Sequence, residues 1–157
     1  EALSVRGPGA DAHGADADGR LGAAGLNLLY DLETNDSLRA LDVCGHAMGN
    51  AAAVALSKAL GANRTLVELA WDENGVTRYG FDVFRAAIAR HNYTLRKMPT
   101  PLADYAAVAN AGKKGGASAD ELAALRTCLA DIEAVVARNN NPTARYECGD
   151  GGGADGG

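Results

Sequence analysis

Apolar positions recur along this chain with a long period. From Leu26 onward, Leu28, Leu29 and Leu32 lie at helical spacing, and the pattern returns at Leu56 and Leu60 and again at Phe84 and Ile88. Leu28 to Leu56 and Leu56 to Phe84 are both 28 positions, as are Leu32 to Leu60 and Leu60 to Ile88. Each helical pattern ends at an asparagine, namely Asn35, Asn63 or Asn92, and a short run spaced for an extended strand follows: Leu38, Leu41 and Val43, then Leu66, Leu69 and Trp71. A period of this length predicts equivalent strand–helix units stacked side by side, each too small to bury its own apolar face.

The strand runs fit LxxLxL, and its continuation N-x-L is met by Asn74 and Val76, with His46 and Met48 in the equivalent places. The expected fold is therefore α/β, a right-handed leucine-rich repeat solenoid of about 28-residue units. Alternate strand side chains point inward, while the Asn, or the His46 ring, satisfies backbone groups where the chain turns toward the helix. In the third run, Leu95 and Met98 take the first two apolar places, but Pro99 and Pro101 flank Thr100 where Val43 and Trp71 stood. Proline cannot donate to a central ladder, so this run is expected to be the last, edge strand.

Outside the periodic region the chain divides by composition. Leu3-Ser4-Val5 alternates like a strand, and Gly, Ala and Asp dominate from Gly7 to Gly25. Residues 1–25 are read as a degenerate partial repeat with an insertion, 26–102 as repeats, 103–117 as a linker with a helical turn after Asp104, and 141–157 as a disordered Gly-rich tail. The raw apolar edge at Leu3-Ser4-Val5 leads to the expectation of further repeats ahead of residue 1. Over 118–140, Ser118-Ala119-Asp120-Glu121 spells a capping box, and Leu122, Leu125, Leu129, Ile132 and Val136 form one stripe, predicting a helix that caps the open end or pairs with a second chain.

Charge and candidate chemistry narrow the function. A net charge of −5 gives no electrostatic reason to expect nucleic acid or an anionic membrane surface, and no run approaches a membrane span. Cys44, Cys128 and Cys148 contain no close pair, so they read as small buried side chains suited to a reducing compartment, with neither a disulfide framework nor a zinc site. His13, His46 and His91 fall in a loop, a turn and a helix end; no constellation for catalysis, metal or cofactor emerges, and none is expected. Asn35, Asn63 and Asn92 each begin an N-x-S/T sequon, but their repeat spacing points to geometry: an Asn ending each helix in a left-handed conformation. Ala40, Asp42, Cys44, Glu68, Ala70, Asp72 and Lys97, lying between the inward leucines, are expected on the concave face, with Asp42, Glu68, Asp72 and Lys97 as the candidate partner-binding residues. Trp71 occupies a core leucine position and reads as packing.

Residues 66–74, Leu-Val-Glu-Leu-Ala-Trp-Asp-Glu-Asn, followed by Thr77, Gly80, Asn92, and Met98-Pro99-Thr100-Pro101-Leu102 with Asp104, resemble the end of the leucine-rich repeat domain of the CARMIL proteins, linkers of actin capping protein, the Arp complex and myosin I. The resemblance runs from about Leu38 to Asn140. It implies a ribonuclease-inhibitor-like horseshoe acting as a non-catalytic, cytoplasmic scaffold at the cell cortex, with protein partners in the actin machinery. It also implies a helical dimerisation region, and membrane contact only through regions absent here; the family's capping-protein motif maps to no residue of this chain. Two other readings stand beside it: a Ran-type GTPase-activating repeat protein, and an innate-sensor or inhibitor-type ligand-binding repeat domain.

Overall fold

The computed structural model describes residues 1–8, 19–111, 118–141 and 143. Three short strands, β1 (Ala2–Ser4), β2 (Ala40–Asp42) and β3 (Glu68–Ala70), form one parallel sheet in the order β1-β2-β3. Five helices accompany it: α1 (Gly25–Asp31), α2 (Gly49–Ala62), α3 (Arg78–His91), α4 (Leu102–Ala111) and α5 (Ala119–Asn140). Helices α1, α2 and α3 stand side by side, and α5 packs on α3. The core lies between sheet and helices: Leu41 and Leu69 from the strands and Trp71 just after β3 meet Leu29, Leu56, Leu60, Phe81, Phe84 and Ile88 from the helices. Each strand sends alternate side chains inward, so Leu41 and Leu69 are buried while Ala40, Asp42, Glu68 and Ala70 stay half-buried on the other face.

The expected leucine-rich repeat solenoid is corrected by this architecture. The described residues form a small α/β domain with a single three-stranded parallel sheet and five helices, not an extended array of equal units. Register shows why. β2 and β3 pair Ala40 with Glu68, 28 positions apart, whereas β1 and β2 pair Ala2 with Ala40, 38 positions apart, because the Gly/Ala/Asp-rich stretch lengthens the first crossover. After β3 the ladder shrinks to one bridge, Glu68 with Lys97, and then Pro99 and Pro101 supply no donor. Only helices follow. The segment read as a linker from residue 103 is helical through Ala111, and the tail expected over 141–157 lies, apart from residues 141 and 143, outside the described residues.

The asparagines hold the turns together, though not as expected. Asn63 and Asn92 end their helices in extended conformation, at φ −64° and −110°, so the left-handed helix end is corrected. Their side chains do the work instead. Asn63 Oδ1 accepts from the backbone N–H of Thr65 and Leu66 at 2.9 and 2.8 Å, while its Nδ2 donates to the carbonyls of Leu32 and Asn35 in the neighbouring turn at 2.7 and 2.8 Å. Asn92 repeats this, accepting from Thr94 and Leu95 and donating to Leu60 O. Asn63 and Asn92 are buried, which places those two amides beyond the reach of a glycan. Each thus crosslinks adjacent turns where the backbone has left the helix ladder and not yet entered the sheet.

Left-handed conformations lie elsewhere, at Gly22 ahead of α1 and in the loops after β2 and β3. Gly45 and Gly75 adopt it without penalty, whereas Ala47 at φ 52° and Glu73 at φ 60° adopt it with a side chain. A side chain there is strained, by roughly 1–2 kcal/mol. Ala47 corresponds to Gly75 in the register of 28. Ala47→Gly is therefore expected to raise stability by about 0.5–1 kcal/mol in urea unfolding; a loss instead would show that unfolded-state entropy dominates at this position.

Candidate functional site

The open face of the sheet is a small grid set by strand register. One row runs Ala2, Ala40, Glu68, Lys97, and a second runs Ser4, Asp42, Ala70. Small side chains make its centre low, and a shallow depression of ≈ 250 Å³ lies over Ala2, Ser4, Ala40 and Ala70, edged by Asp42 and Lys97. Of the four predicted partner residues, Glu68 and Lys97 meet directly, Lys97 Nζ standing 3.0 Å from Glu68 Oε2 in an exposed ion pair. Asp42 Oδ1 accepts from Cys44 N–H at 3.1 Å, and its Oδ2 lies 3.8 Å from Arg6 Nε.

Asp72 stands apart from that depression and is engaged by backbone. Its Oδ2 accepts from Ala103 N–H and its Oδ1 from Asp104 N–H, both at 3.0 Å, so it caps the first turn of α4. Asp104 returns the arrangement, its two oxygens accepting from Gly75 and Asn74 N–H at 2.8 and 3.1 Å. Burial raises the Asp104 carboxyl above its ordinary pKa, against the pull of these N–H donors. Together the two carboxylates fasten α4 to the loop after β3. The sequence marked Asp104 only as the residue before a helical turn and as part of the family resemblance; its reach back to residue 74 needed the tertiary structure.

Polar residues elsewhere are structural. His46 Nδ1 accepts from Leu21 N–H at 3.2 Å and Nε2 donates to Val5 O at 2.6 Å, linking β1 to the second loop. Asn74, its counterpart, donates to Val43 O and Trp71 O. Among the described residues no cluster of three or more metal-ligating side chains exists, and no helix is long and apolar enough to cross a membrane. Cys44, expected on the open face, is buried, as is Cys128. Burial pushes the Cys44 thiol up to about 11 and the Cys128 thiol up to about 12, with Asp42 and Asp82 respectively adding to the rise. Both therefore stay protonated at neutral pH. Alkylation by iodoacetamide at pH 8 is expected to spare Cys44 and Cys128 in the folded chain and to modify them once urea is added, read by peptide mass; rapid native labelling of either would show the site opening.

The apolar stripe of α5 is turned inward: Leu125, Cys128, Leu129, Ile132 and Val135 are buried in the same core. Its last turn carries donors toward the unit beneath. Arg138 donates to Ala89 O and Asn92 O at 3.0 and 2.7 Å, Asn139 to Leu95 O at 2.8 Å, and Asn140 to Arg96 O at 2.7 Å. Asn139 thus makes the bond to the last turn that Asn63 and Asn92 make to theirs.

No protein-family model matches the chain. Among curated proteins, Protein CARMIL of Dictyostelium discoideum is 39% identical over 127 residues, 81% of this chain and 11% of that protein. The chain is related to the CARMIL family. Capping protein, Arp2/3 and myosin-I linker protein 3 of Homo sapiens is 38% identical over 89 residues, 56% of this chain and 6% of that protein. Rho GTPase-activating protein gacW of Dictyostelium discoideum is 30% identical over 114 residues, 73% of this chain and 10% of that protein. The chain spans about a tenth or less of the length of these relatives. Among solved structures, Leiomodin-1 Actin-Binding Site 2 is similar with a TM-score of 0.56 at 16% identity, over 94% of this chain and 84% of that one, a likeness of fold alone. It supports the corrected description of the CARMIL-related stretch as a small α/β domain.

Proposed function

We propose that this chain is a non-catalytic protein-binding module that serves the regulation of actin assembly in the cytoplasm, near the cell cortex. The observation that carries this reading is the 39% identity to Protein CARMIL across 81% of the chain. The geometry agrees with it: the buried Asn63, Asn74, Asn92 and Asp104 hold turns and helix ends, and the open face of the sheet leaves Asp42, Glu68 and Lys97 at the surface beside a shallow depression. Asp72 is engaged instead in holding the first turn of α4. The purified chain, immobilised, is expected to retain capping protein, Arp complex or myosin I from solution, these being the proteins that the human relative's name joins. Retention of none of the three by the folded chain would overturn the reading.

The likeness to a Rho GTPase-activating protein favours a second reading, in which the module acts on a small GTPase. The two separate in one assay. Stimulated GTP hydrolysis by the isolated chain would install the second, whereas binding without stimulation leaves a module used by both kinds of protein.

A further inference from the structure

We propose that the Asn74–Gly75 peptide is a covalent modification site, an asparagine set for deamidation and kept silent while α4 is docked. Asn74 is the one asparagine of this chain that glycine follows. That pairing is the reactive one, because a following residue without Cβ lets its backbone nitrogen approach the asparagine side-chain carbon. In the reaction Gly75 N bonds to Asn74 Cγ, the Cγ–Nδ2 bond breaks, and the proton given up by Gly75 N leaves with the amide as ammonia. Water then opens the resulting succinimide at either carbonyl, giving aspartate or isoaspartate. No oxidant, cofactor or enzyme enters.

The folded loop opposes each part of that step. Asn74 is 0% exposed, and Nδ2, the leaving group, donates to Val43 O and Trp71 O at 2.9 and 2.7 Å, which fixes the amide in place. The attacking nitrogen is committed as well: Gly75 N–H donates to Asp104 Oδ1 at 2.8 Å, and Asn74 N–H to Asp104 Oδ2 at 3.1 Å. Ring closure needs the Asn74–Gly75 peptide plane to rotate and the side-chain amide to turn, and these bonds pin both. The carboxylate that pins the peptide belongs to a lightly held helix. Asp104 is the one fully buried residue of α4 among those described; Leu102 is 65% exposed, and Tyr105 and Val108 are only partly buried. The other polar fastenings of α4 are the Asp72 cap on its first turn and the bond from Arg126 Nε to Tyr105 OH at 3.0 Å. A helix with so little apolar burial opens locally at lower cost than the core. Glu73, left-handed at φ 60° beside the site, adds strain that opening relieves.

The product holds the gate open. Aspartate at 74 sets a carboxylate oxygen against the carbonyls of Val43 and Trp71 where Nδ2 donated, and it adds negative charge to a loop whose N–H groups already face Asp104. Isoaspartate inserts a methylene into the backbone at the same point. Deamidation thus turns a transient release of α4 into a lasting one.

The test follows aspartate and isoaspartate at residue 74 by peptide mapping after the full chain is incubated at mildly alkaline pH. In the urea-unfolded chain, position 74 is expected to deamidate ahead of every other asparagine, and in the native chain to stay intact over the same period. Asp104→Ala, which frees Gly75 N–H, should speed the native reaction about tenfold or more, the factor carried by one buried hydrogen bond to a charged group. Asn139→Ala, which strands Leu95 O beyond the other end of α3, should leave it slow below its melting temperature. Should Asp104→Ala fail to fold, the native chain in urea below its unfolding transition serves instead: deamidation and hydrogen exchange of the α4 amides are expected to rise together, ahead of exchange in α2. Asn74→Asp, the product itself, should show α4 amides exchanging freely with α2 still protected. A native rate equal to the unfolded one, no acceleration in Asp104→Ala, equal acceleration in Asn139→Ala, another asparagine reacting first on unfolding, exchange of α4 and α2 rising only together, or a protected α4 in Asn74→Asp would each overturn the proposal.

Discussion

Replacing Trp71 with alanine is expected to destabilise the protein by about 3–5 kcal/mol, the largest effect of any single substitution considered for this fold. The ring is 1% exposed and sits between two others, with Phe81 at 5.9 Å in an edge contact and Phe84 at 4.7 Å and tilted. Truncation removes the side chain through which β3 grips α3, and the surrounding aromatic groups belong to a helix already held by α2 and α5, so little collapse can fill the gap. Trp71 Nε1 is buried without a hydrogen-bond partner. Trp71→Phe deletes that unsatisfied donor along with some volume, so it should cost clearly less than the alanine variant. Urea unfolding of both variants decides the matter: a loss below about 1 kcal/mol for the alanine variant would mean the ring is not core, and equal losses would mean its N–H is harmless.

Removing α5 should do more damage than any point substitution. The helix buries five apolar side chains against the core and sends Arg138, Asn139 and Asn140 to four carbonyls, one in the last turn of α3 and three in the segment after it. A chain ending at residue 117 would expose Phe84 and Ile88 from the α3 side and leave those carbonyls to water. Loss of cooperative thermal unfolding and binding of an apolar dye are the expected results. An unchanged melting temperature would refute the covering role. Asn139→Ala tests the polar part alone, at about 1–3 kcal/mol, since it strands Leu95 O in a buried place.

Some of this was legible in the residues. Helix spacing at Leu56, Leu60, Phe84 and Ile88 placed the buried faces of α2 and α3, and the capping box at Ser118 and Glu121 is formed as its pattern requires. The prolines after Met98 marked where the ladder stops. These are local signals, each set by the backbone needs of a few neighbouring residues. The Asn conformation went astray for an instructive reason. A helix-ending Asn has two ways to satisfy the backbone, a left-handed turn or its own amide, and the choice depends on whether a neighbouring turn offers carbonyls within reach. Leu32 and Asn35 offer them to Asn63, and Leu60 offers one to Asn92.

By itself the sequence determined the strand–helix alternation, the inward positions, the end of the sheet and the relation to CARMIL, because periodic burial and turn chemistry are written in residue order. Only the tertiary structure decided that the assembly is a three-stranded domain and not a solenoid, since the number of equal units depends on register between strands 38 and 28 positions apart. It alone set Asp72 and Asp104 against each other's backbone, and it alone brought Glu68 and Lys97 together. Charges so far apart in the chain become neighbours only through the hydrogen bonds of a parallel sheet, whose partners lie a whole crossover away.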